Sequence, residues 1–98
     1  MNEGNIMDKT ESEVRQILIE AMKAQLENPT RSYSNSESSF VACRLRKSGY
    51  PGVAARYWAW TCGPENREEF GDEIYELQMK LKEIDREFVM PDWGTYGT

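Results

Sequence analysis

The chain has 98 residues, 39% apolar and 30% charged, a length that supports one compact domain with no separate catalytic one. Three Trp, five Tyr and three Phe supply bulky core material, which excludes an intrinsically disordered chain. A net charge of −5 opposes generic binding to nucleic acid or anionic lipid, and the lack of any histidine removes the usual general base near neutral pH, the commonest metal ligand and every Ser-His or Cys-His nucleophile pair.

Thr10-Glu11-Ser12-Glu13 has the S/T-x-x-E form of a capping box, and Val14, Ile17, Leu18, Ala21, Met22 and Gln25 recur behind it at helical spacing. The pattern predicts a helix over 11–27, stopped at Asn28 because the ring of Pro29 disfavours α geometry there. The stretch TRSYSNSESS is polar and aperiodic, reads as a loop, and offers Asn35 or Ser36 as the N-cap of a second helix over 36–48. Gly49 is placed to take a left-handed conformation after it, and Pro51 to open a third helix over 51–62, which Gly63-Pro64 closes.

Phe70, Ile74, Leu77, Leu81, Ile84 and Phe88 then form a heptad-like seam that predicts a fourth helix over 65–88. Acids crowd its start and Lys80, Lys82 and Arg86 come late, the polarity that a helix macrodipole favours. Pro91 is expected to end it, leaving the Gly-rich 91–98 and residues 1–9 as mobile ends. No stretch alternates as a strand would, so the expected fold is all-α: a single domain over 1–98, built as a small bundle of four helices.

Phosphate-cradling loops of the GxxxxGK[ST] or GxGxxG type are missing, and Glu69 and Asp72 read as part of a solvated acidic face. Cys43 and Cys62 read as buried free thiols among Val41, Ala42, Ala59 and Thr61. No catalytic residue, metal site or cofactor is expected, and the chain is not expected to be an enzyme. Residues 1–10 lack the basic and apolar regions of a signal peptide, no apolar run is longer than Phe40 to Cys43, and the two cysteines form no CxxC. A cytoplasmic protein without a membrane span is the expectation.

Charge is unevenly spread. Arg31, Arg44, Arg46, Lys47 and Arg56 stand against Glu37 alone in the middle third, between two acidic flanks. Residues 41–60, with Gly49 at the turn and Leu45 and Trp58 near core positions, resemble a helix-turn-helix in outline. That resemblance implies a small nucleic-acid-associated regulator with those five cations on phosphates and Phe40 interleaved, although the helix that would read bases carries Arg56 as its single cation.

On a helical wheel Val53, Tyr57 and Trp60 of the third helix share one side, while Ala55, Trp58, Ala59 and Cys62 share another. A small domain more easily covers one such side and leaves the other for a partner. Trp58 with Arg56, flanked by Arg44 and Lys47, is therefore the expected partner-binding surface, since an exposed Trp beside cations suits an acidic protein partner.

The leading expectation is a non-enzymatic protein–protein interaction module, a small adaptor or an inhibitor of a larger complex. The nucleic-acid regulator is the alternative. The seam Phe70, Ile74, Leu77, Leu81, Ile84 and Phe88 fits a homodimer through 65–88 and, equally, packing against the first helix of the same chain. Small accessory proteins of phages and mobile elements are similar in size, acidity and absence of catalytic apparatus, a likeness that rests on no motif.

Overall fold

The structure, a computed structural model, describes residues 9–29 and 36–97, with the side chains of 86–97 excepted. The described residues form five helices and no strand: α1 Glu11–Glu27, α2 Glu37–Lys47, α3 Pro51–Cys62, α4 Arg67–Phe70 and α5 Asp72–Gly97. The expected all-α bundle is present.

Local chemistry sets most of the boundaries. Thr10 and Glu13 close the capping box, each side chain accepting from the other's backbone N–H at 3.1 and 3.0 Å. Ser36 caps α2 by accepting from Ser39 N. At the other end of α2, Gly49 N donates to Arg46 O at 3.1 Å and Tyr50 N to Leu45 O at 2.9 Å, a Schellman pair that needs a left-handed residue; Gly49 supplies it with φ +91°. Pro51 follows as the first residue of α3, where its missing N–H has no partner to lose.

The fourth predicted helix, 65–88, differs from what forms. Asn66 caps the single turn of α4, and Gly71 at φ +96° breaks the run before α5 starts at Asp72. A side chain at Gly71 would be strained at that φ although space is open around it. Glu65 is not a helical residue at all: it is buried with φ +54°. At the far end the backbone stays helical to Gly97, past Pro91, where the sequence places the helix end. The seam survives the break, because Phe70 of α4 and Ile74, Leu77 and Leu81 of α5 all enter one core.

That core joins Val14, Leu18 and Met22 of α1 to Val41, Ala42 and Leu45 of α2, and to Val53, Ala54, Tyr57 and Trp60 of α3. α5 lies along α1 and also meets α2, so the seam as far as Leu81 is filled by the chain's own helices. Ile84 is half-buried, and the side chain of Phe88 lies outside the described residues. Of the two occupants the sequence allows for this seam, the same chain takes it over the described part. Trp60 is held by an edge-on Phe70 ring at 5.3 Å and by its Nε1–H donating to Asn66 O at 3.0 Å.

Candidate functional site

α3 packs against α2 and, through a smaller contact, α1, which covers one side of an otherwise apolar helix. Tyr57, Val53, Ala54 and Trp60 point into the core; Ala55, Trp58, Ala59 and Cys62 are exposed. Trp58 is 42% exposed, and it is the large hydrophobic side chain that stands in solvent among the described residues. It lines a shallow hollow with Ser39, Ala42 and Arg46 of α2. In a helix-turn-helix this ring would belong between the two helices, so its exposure corrects the core position that the resemblance gave it.

The four expected partner-binding residues do not form one surface. Trp58 and Arg56 are separated by two residues, about 200° around a helix, and point to different flanks of α3. Arg56 donates from Nη1 and Nη2 to both carboxylate oxygens of Glu11, at 3.1 and 3.0 Å, and from Nε and Nη2 to Glu69 at 3.3 and 3.2 Å. Its guanidinium also lies 4.8 Å from the centroid of Phe70. Arg56 thus ties the start of α1 to α3 and α4.

Arg44 is likewise used inside the fold. Its Nε donates to Gln25 Oε1 at 2.6 Å and its Nη2 to Asn28 O at 2.9 Å, so it closes the C-terminal end of α1. With Lys47 it lines an open groove of ≈ 370 Å³ between α1 and α2, together with Ile17, Ala21, Leu45 and Tyr50. The cation that does adjoin Trp58 is Arg46, which the sequence assigned only to the nucleic-acid alternative. Arg46 and Lys47 are exposed and have no carboxylate partner among the described residues.

Because Arg56 holds the Glu11 carboxyl below its usual range, first through the hydrogen bond and then through charge, the pair stabilises the fold above the unfolded carboxylate pKa and loses that contribution as pH falls through the lowered value. Arg56→Ala is therefore expected to lower the urea midpoint at pH 7, by an amount that shrinks on acidification to about pH 4 and below. A midpoint difference that is unchanged over that range would show that the Glu11 pair contributes nothing.

Two buried polar clusters went unread in the sequence. In the first, Gln25 joins Arg44 to Glu37, whose backbone N–H donates to Asp85 Oδ1 at 2.8 Å. Burial pushes the Asp85 carboxyl up, opposed by that hydrogen bond and by Lys82. In the second, Gln78 donates to Ser38 Oγ at 3.0 Å and Glu65 Oε2 at 2.8 Å and accepts from Tyr57 OH at 2.7 Å, while Lys82 pairs with Glu65. Burial also drives the Tyr57 hydroxyl well above its ordinary pKa, which keeps it a neutral donor. Every buried side-chain polar atom among the described residues has a partner, so both clusters read as fold-specifying rather than poised for a ligand.

Glu69 and Asp72 are exposed and paired with Arg56 and Arg67, as a solvated acidic face would be. No three Asp, Glu or Cys side chains converge as metal ligands among the described residues, and no helix there is long and apolar enough to cross a membrane. Both cysteines are free, but only Cys43 is partly buried; Cys62 is exposed, which corrects its reading as core filler and follows from its place on the outward face of α3. Cys62 is expected to react with a thiol reagent in the native protein well ahead of Cys43, and equal native rates would contradict this placement.

Compared with protein-family models, curated proteins and solved structures, the chain matches none of them.

Proposed function

We propose that the protein is a non-enzymatic interaction module that binds another protein through the outward face of α3, as a small adaptor or as an inhibitor that occludes a larger assembly. The observation that supports this reading is the exposed ring of Trp58, set among Ala55, Ala59 and Cys62 on a helix whose other side is fully used by the core. A Trp left in water is unfavourable for an isolated domain and is among the commonest anchors at protein interfaces. Arg44 and Arg56 leave the candidate surface because their donors are committed within the fold, and Arg46 enters it.

Affinity capture from the source cells on immobilised wild-type protein, Trp58→Ala and Arg67→Ala tests the reading. A protein retained by the wild type and by Arg67→Ala but lost from Trp58→Ala is the expected result. Identical capture by all three places the interface elsewhere.

A further inference from the structure

We infer that the partner element is an acidic amphipathic helix, laid along the α2–α3 hairpin with apolar side chains against Trp58 and a carboxylate against Arg46. The inference rests on the proposed interaction role of this face and names what the face selects.

Charge is the first ground. From Ser38 to Pro64 the chain has no Asp or Glu, although the protein as a whole carries −5. Of the four cations in that stretch, Arg44 and Arg56 are held by Gln25, Asn28, Glu11 and Glu69. Arg46 remains unpaired among the described residues at the edge of the hollow, while Lys47 lines the groove on the α1 side of α2, where Glu20 also lies. An acidic partner supplies the missing charge, whereas a basic one would meet the unpaired Arg46 in a stretch without carboxylates.

Shape and backbone chemistry are the second. Ala55, Ala59 and Cys62 recur at spacings of four and three, so a row of small side chains runs beside the Trp58 ring and lets another helix approach closely. The face is wholly helical, with its backbone groups bonded within their own helices. It offers no row of N–H and C=O groups to an extended segment, so a partner must arrive with its own backbone satisfied, which a helix does.

Two other occupants fit less well. Nucleic acid is bound through many phosphate contacts, and the single unpaired cation that the described residues place at this face of an acidic protein supplies few. A second copy of the chain offers carboxylates on α5, such as Glu73, Glu76 and Glu83, but the apolar stripe of that helix is already consumed by its own core through Leu81.

A displayed library of random 16-residue peptides, selected on the wild-type protein and counter-selected on Trp58→Ala, provides the test, with single-stranded and duplex DNA 20-mers assayed in parallel. Peptides that depend on Trp58 are expected to be net acidic with apolar residues at i, i+3 or i+4, and i+7, and to lose about tenfold in affinity to Arg46→Gln, whose fold is checked by circular dichroism. Trp58-dependent peptides that are neutral or basic would overturn the acidic partner while leaving the interaction face in place. DNA binding that falls with Arg46→Gln would overturn it in favour of nucleic acid. Absence of any Trp58-dependent ligand would overturn both the inference and the reading beneath it, as would concentration-dependent self-association abolished by Trp58→Ala.

Discussion

Replacing Gln78 by Leu is expected to destabilise the fold by about 3 kcal/mol or more, although Leu is close to Gln in size and leaves no large cavity. Gln78 is fully buried and serves three partners at once: Tyr57 OH, Ser38 Oγ and Glu65 Oε2. Removing it strands groups that burial has already cut off from water, and each unsatisfied buried group typically costs about 1–3 kcal/mol. Glu65 adds to the loss because its left-handed backbone, φ +54°, is unfavourable for a non-glycine residue and is held in place by the bonds of its carboxylate to Gln78 and Lys82. Tyr57→Phe removes one of these bonds and is expected to cost roughly 1–2 kcal/mol. In urea unfolding the double variant should lose less than the two single losses combined, since both act on one cluster. A Gln78→Leu protein within about 0.5 kcal/mol of wild type would show that the cluster is dispensable.

The second large effect separates two tryptophans only two residues apart. Trp60 is 7% exposed, edge-on to Phe70 and hydrogen-bonded to Asn66 O, so Trp60→Ala is expected to destabilise the fold by about 3–5 kcal/mol. Trp58 makes neither contact and stands in solvent on one edge. Trp58→Ala is expected to weaken partner binding by about 2 kcal/mol or more, roughly thirtyfold, with little change in helicity. The contrast follows from the helix period alone: residue 60 shares a side with 53 and 57, and residue 58 does not.

That period is also why so much of the fold is legible in the sequence. The capping box at Thr10, the Gly49 turn, Pro51 at the start of α3 and the two sides of α3 are each set by local chemistry, and each forms as the residues imply. The break at Gly71 was hidden because Phe70 and Ile74 keep helical spacing across it; Asn66 as a cap and a glycine inside the seam were the available signals. Gln78 follows Ile74 by four and precedes Leu81 by three, so its buried place could be read, but its partners Ser38 and Glu65 lie far away in the chain and no local pattern brings them together. The patch of Arg44, Lys47, Arg56 and Trp58 does not form for the same reason: these residues are close in sequence, but Glu11, Glu69 and Gln25, which claim two of the cations, come from other helices.

Urea unfolding of Trp58→Ala tests most directly whether this ring belongs to a partner rather than to the core. The expected variant unfolds within about 2 kcal/mol of wild type with an unchanged m-value, as truncation of a ring that is 42% exposed and only partly covered by α2 should. A loss of about 3–5 kcal/mol, the scale of a buried Trp truncation, would make Trp58 a core residue and remove the interaction face of α3.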